Sequence, residues 1–184
     1  MSAADLSPPE FSRPEFSREV DVRQAEGKHM QLTASPAECA ALARRFGLVR
    51  IEQLAAELVL SRVENGAEGR GRLDAAIVQT CAVSGEDLPV NIDEQIFFRF
   101  VSAGEDHRPD EEVEIALDEC DEIEFSGTMI DVGEAVAQSL ALAIDPFAVG
   151  PNAEEVRRQA GLLDESAAGP FAALAALKGE INQS

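Results

Sequence analysis

The densest chemical groups in the sequence are two carboxylate runs, "DEEVE" at 110–114 and "DECDE" at 118–122. Carboxylates packed this closely could hold a divalent cation. Their spacing lacks the glycine and terminal glutamate of an EF-hand loop, and such runs are more often solvated faces, so no metal site is expected. The remaining option is a divalent-metal-dependent enzyme built on segment 110–124. Cys81, in "TCAVSGEDLPV", could ligate zinc through its thiolate. A zinc knuckle needs a second ligand about two residues on, where Ser84 stands, and no Cys or His pair follows, so no zinc is expected. His29 and His107 lie in polar stretches and read as solvated loop residues, and the chain has no Tyr or Trp. "GAEGRGR" lacks the Lys-Ser/Thr ending of a phosphate loop and reads as a hairpin turn. No nucleophile elbow, dinucleotide fingerprint or zincin motif is present. The expectation is a non-enzyme with no cofactor and no small-molecule substrate.

Four arginines are the candidate contacts for RNA or a partner: Arg62, Arg70, Arg72 and Arg99. They stand in an acidic chain of 184 residues with a formal net charge of −20. Residues 1–72 carry ten Lys/Arg and eleven Asp/Glu, whereas residues 73–184 carry five and twenty-four. A field of that sign repels a phosphate backbone and attracts basic partners. Direct RNA binding through the four arginines stays open beside the reading that four scattered basic residues are ordinary surface.

The elements that must position these residues follow from pattern. In "TASPAECAALARRFGL", Ser35 is a helix N-cap, Pro36 suits the first helical position and Glu38 completes a capping box; Cys39, Leu42, Ala43 and Phe46 form one stripe, and Gly47 ends it. "FSREVDVRQ" before it could be a short strand. "LVRIEQLAAELVLSRVE" fits helix or strand, and its neighbours decide for a hairpin: "ENGAEGRGR" reads as the turn and "RLDAAIVQTCAV" as the second strand. "LPVNIDEQIFFRFV" sets Leu88, Val90, Ile92, Ile96, Phe98 and Phe100 on one face against Asn91, Asp93, Gln95 and Arg99 on the other. Residues 105–124 hold eleven acidic groups, with "VEIAL" and "EIEF" as short candidate strands. "IDVGEAVAQSLALAIDPF" is a helix capped by Asp131 and stopped by Pro146. The fold class implied is α+β: an antiparallel sheet with room to curl toward a barrel, a helix after the first strand, and a long helix from the C-terminal half packed on it.

The order of three segments resembles one bacterial family. The strand and cysteine turn "TCAVSGEDLPVNIDEQIFFRFV", the "IDVGEAVAQSLALAIDPF" helix and the closing "GPFAALAALK" together are similar to the YceD family of large ribosomal RNA subunit accumulation proteins. The resemblance covers roughly residues 15–178, and its most specific parts are Asp131-Val132-Gly133-Glu134 and the Pro170–Lys178 ending. Many members of the family carry a C-x-x-C-L pair in the turn and further cysteines after the helix. This chain keeps Cys81 with Ser84, and "DPFAVGPNAEE" follows the helix, which removes the ligand set such a metal site would use. The resemblance implies a role in large-subunit ribosomal RNA accumulation or ribosome assembly, with an assembly intermediate, a basic ribosomal protein or large-subunit rRNA as partner.

The expected organisation is an N-terminal arm at 1–15, a single globular domain at 16–148, and a helical tail at 149–184 that includes "NAEEVRRQAG" and a docking segment at 170–178. In that segment Phe171, Leu174 and Leu177 recur at spacing 3, with Lys178 near the helix end. About nine residues are too few for a lone helix in water, so the segment must dock in cis or on a partner. No apolar run approaches the ~18 residues of a membrane span, and the start lacks the basic and apolar regions of a signal peptide. Three widely spaced cysteines suit reduced thiols, and the expected location is the cytoplasm.

Overall fold

The computed structural model describes residues 14–103 and 121–160. Two long hairpin strands dominate it. Strand β3 (Arg50–Val63) turns at Glu64 and Asn65 into β4 (Gly66–Thr80), which pairs in turn with β5 (Asp87–Ser102). A shorter strand, β2 (Lys28–Thr33), flanks β3, and β6 (Asp121–Phe125) flanks β5. The sheet is antiparallel except for the parallel β5–β6 pair, and it is open, with β2 and β6 as its edges. A two-stranded ribbon of β1 (Glu19–Asp21) and β7 (Met129–Asp131) lies apart from it. Among the described residues, three α-helices complete the α+β fold: α1 (Pro36–Phe46), α2 (Val132–Ala143) and α3 (Ala153–Gln159).

Three local expectations are corrected. The stretch "GAEGRGR" is not a turn: Gly66 to Arg72 run in register with β3 and β5, and the turn is confined to Glu64–Asn65. The glycines are there for close approach. On the inner face, a Cβ at Gly69 would overlap the Phe98 ring, and one at Gly71 would overlap the β3 backbone at Glu57 and Leu58. The sheet can therefore bend over its own aromatic residues at this point. His29 belongs to an edge strand rather than a loop, since β2 occupies Lys28–Thr33. Helix α1 consequently follows the second strand, not the first.

The inner face of the sheet carries the core. Leu54, Ala56, Leu58 and Leu60 of β3, Leu73 and Ile77 of β4, and Ile92, Ile96, Phe98 and Phe100 of β5 are all buried on it. Phe98 and Phe100 meet edge to face with centroids 5.5 Å apart. Helix α1 covers the β3 side with Cys39 and Leu42. Its capping box is formed: the Ser35 hydroxyl accepts from the Glu38 amide at 3.3 Å, and the Glu38 carboxylate accepts from the Ser35 amide at 2.7 Å. Helix α2 covers the β4–β5 side with Val132, Ala135, Val136 and Leu140. Asp131 caps it, accepting from the Glu134 amide at 3.2 Å, and the helix ends at Ala143 before Pro146. The candidate strand "VEIAL", most of the 110–124 acidic segment and the 170–178 docking segment lie outside the described residues.

Candidate functional site

Strand pleating decides which of the four candidate arginines can act together. In β3, Arg62 follows Ala56, Leu58 and Leu60 at spacing two, so it belongs to the inner-face series at the hairpin end. Arg70, Arg72 and Arg99 alternate with buried residues in β4 and β5 and stand together on the outer face. Three of the four are therefore brought together.

None of these three is a bare positive charge. Arg70 lies with its guanidinium 4.1 Å from the centroid of the Phe97 ring, its register partner, and 3.4 Å from Glu68. Arg72 pairs with Asp93 and lies 3.5 Å from Asp74. Arg99 donates to Glu68 at 2.6 Å and reaches Glu122 at 3.8 Å. The Arg99 hydrogen bond, more than that of Arg70, holds the Glu68 carboxyl below its ordinary range. Glu57 and Glu124 belong to the same face, so six carboxylates stand beside three arginines. The face is mixed in charge and acidic on balance. A phosphate backbone approaching it would meet guanidinium groups already paired. A basic side chain would meet carboxylates in excess.

Cys81 is a site that spacing alone did not resolve. Its side chain is buried, and its Sγ accepts hydrogen bonds from the Gly150 amide at 3.2 Å and the Ser84 amide at 3.3 Å. These donors, Gly150 first, pull the thiol down to about 6, so the thiolate is the favoured form at neutral pH. The sulfur pins the loop after α2 to the turn after β4, and the Asn152 side chain does the same through Glu86 at 3.0 Å. One thiolate does not fit a zinc site that takes about four ligands. Among the described residues no group of three or more metal-ligating side chains comes together. No local spacing announces this contact, because Gly150 stands 69 residues from Cys81.

The geometry defines a class: an open α+β sheet protein, with α1 and α2 on one face and a carboxylate-rich, mixed-charge face on the other. Within that class the chain belongs to the YceD family, because the family model described as "Large ribosomal RNA subunit accumulation protein YceD" matches residues 69–178, more than half of its length. No curated protein and no solved structure matches the chain. The family's description ties the chain to accumulation of large-subunit ribosomal RNA. Among the described residues no helix is long and apolar enough to cross a membrane.

Proposed function

We propose that this protein is a non-enzymatic cytoplasmic factor that supports large-subunit ribosomal RNA accumulation by holding a basic ribosomal protein, or an RNA–protein intermediate carrying one, during assembly. The observation that carries the reading is the outer sheet face, where Arg70, Arg72 and Arg99 are paired with Glu68, Asp74, Asp93 and Glu122 and outnumbered by these together with Glu57 and Glu124. Such a face offers lysine- and arginine-rich proteins a complementary surface and shields them from premature contact with RNA. The 170–178 segment, with Phe171, Leu174, Leu177 and Lys178, is assigned in this reading to docking on the partner. The Arg70–Phe97 stack, with Arg70 exposed and Phe97 half-buried beneath it, favours one second reading, a platform for an unpaired base, since a stacked base gains from both an aromatic ring and a guanidinium.

The test has a cellular and a purified arm. In cells, the protein should co-sediment with large-subunit precursors rather than mature ribosomes, and its deletion should lower large-subunit rRNA. Unchanged subunit ratios would refute the role. In purified form, it should bind an isolated basic ribosomal protein more tightly than protein-free large-subunit rRNA, and both affinities should fall as salt rises. Tight, salt-insensitive binding to naked rRNA would select the platform reading instead.

A further inference from the structure

The side of α2 that faces the sheet edge is open, and its chemistry is one-sided. A groove runs between α2 and the β5–β6 pair with Phe98, Ile123 and Ala135 in its wall and Leu142 at its lip. An adjoining depression on the same helix shares Leu142 and reaches Glu94 and Ile96. Leu142 is 70% exposed, whereas the other large apolar side chains of the helix, Val132, Val136 and Leu140, are buried. From Ala135 to Leu142 the helix rises about 10 Å, room for two turns of a second helix laid alongside.

The rim decides what can lie there. Among the described residues, Glu94 and Glu122 are the charged residues that line the two depressions, Glu122 from the edge strand where it also borders the outer face beside Arg99, and no lysine or arginine lines either. Arg99 approaches Glu122 from the sheet side at 3.8 Å, while no cation among the described residues lines the depression at Glu94. Of the chain's own segments outside the described residues, 104–120 is poorly matched in charge, whereas 170–178, with Lys178 and no Asp/Glu, is the cis competitor that truncation after Asp164 tests. Residues 104–120 hold eight Asp/Glu and one Arg, and residues 161–184 hold three Asp/Glu and one Lys. An acidic segment brought to an acidic rim is repelled.

We infer that this groove is the docking site for an amphipathic helix of a basic partner protein, with an apolar stripe against Phe98, Ile123 and Leu142 and lysines or arginines toward Glu94 and Glu122. The inference rests on the proposed function for the kind of partner and adds where that partner is held. The apolar stripe would supply affinity and the acid rim orientation, which is how helix-in-groove recognition divides the work.

The test uses the full-length chain and a labelled synthetic peptide of about 14 residues, leucines at i, i+3, i+4 and i+7 and lysines elsewhere. Its control is the same composition scrambled so that the leucines share no face. Fluorescence anisotropy should show the patterned peptide binding about tenfold more tightly than the scrambled one. Leu142→Ser, a change at an exposed position, should abolish that preference, and Glu94→Gln should weaken both peptides and flatten their salt dependence. Equal binding of the two peptides, or a preference that survives Leu142→Ser, would overturn the inference. So would a chain ending after Asp164 that binds the peptide several-fold better than the full chain, because the 170–178 segment would then be filling the groove in cis. If the groove fails while the wild-type chain still co-sediments with large-subunit precursors, the assembly role stands without it.

Discussion

Arginines do two different jobs in this molecule. Arg18 and Arg45 hold together segments that are far apart in the chain. Arg18 donates through its fork to Glu38 at 2.7 Å, lies 4.6 Å over the Phe16 ring, and lends its backbone amide to Asp131 at 2.7 Å. Arg45 joins α1 to α2 through Glu134 at 2.6 Å and to the N-terminal segment through Glu15 at 3.1 Å. The outer-face set, Arg70, Arg72 and Arg99, pairs within one sheet whose strands are already fixed by backbone ladders. The first set closes long loops of chain, whereas the second adjusts the charge of a finished surface. The same ion pair therefore carries stability in one place and specificity in the other.

The largest effect that would sharpen this contrast is at Gly133. A Cβ there would overlap the Phe16 carbonyl, which sits against the start of α2 where Arg18 and Asp131 meet. Gly133→Ala should cost about 3 kcal/mol, read as a lower urea midpoint at unchanged slope. Arg18→Ala should follow at about 2 kcal/mol, through lost packing on Phe16 as well as the lost fork to Glu38. Arg70→Ala should stay within about 0.5 kcal/mol. If Arg70→Ala costs as much as Arg18→Ala, the division between fastening and surface arginines is wrong.

A smaller effect is written in pH. The Arg18 fork holds the Glu38 carboxyl at about 2, against an ordinary value of 4.5, with the Ser35 backbone amide helping. A carboxylate whose folded value is depressed contributes its stability above the unfolded value and loses it as pH falls through the folded one. The difference in unfolding free energy between wild type and Glu38→Gln should therefore be full above pH 4.5 and shrink toward zero as pH approaches 2. Solvent screening at this partly exposed pair keeps the pH-dependent part to about 1 kcal/mol. A difference that is flat across that window would mean the pair is not formed.

How much of this was legible depends on the distance over which each feature is decided. Helix α1 was readable because Ser35, Pro36, Glu38 and Gly47 settle its ends within a dozen residues. The outer-face placement of Arg99, and its separation from Arg62, follows from period-two alternation in β5 and β3, whereas Arg70 and Arg72 stand in the Gly-rich stretch that reads as a turn. The glycines of β4 misled because a Gly-rich run normally marks a turn, and the reason they are strand residues is Phe98, which folds across from β5. Strand β2 was missed because one short edge strand with only Met30 and Leu32 facing inward carries little pattern. Nothing in the local sequence distinguishes Arg18 and Arg45 from other surface arginines. Their partners Asp131 and Glu134 stand 113 and 89 residues away, and no local spacing announces them.

The smallest expected effect is the one that bears most on function. Arg70→Gln with Arg72→Gln removes two positive charges from the outer face and leaves Glu68, Asp74 and Asp93 without those partners. Both side chains are at least half exposed, so unfolding should barely change. Binding should change, and its sign separates the two readings of the face. If the arginines contact phosphates, each lost contact weakens RNA binding and lowers the magnitude of the salt slope by about one. If the carboxylates are the contact groups, freeing them strengthens the attraction for a basic protein, by a few-fold at low salt and less as salt rises. The proposed function requires the second outcome: tighter binding of an isolated basic ribosomal protein by the double variant, with affinity for naked rRNA no greater than that of wild type. Weaker binding of both would place the arginines themselves at the contact, and the outer face would then be read as an RNA surface whose acidic neighbours merely moderate it.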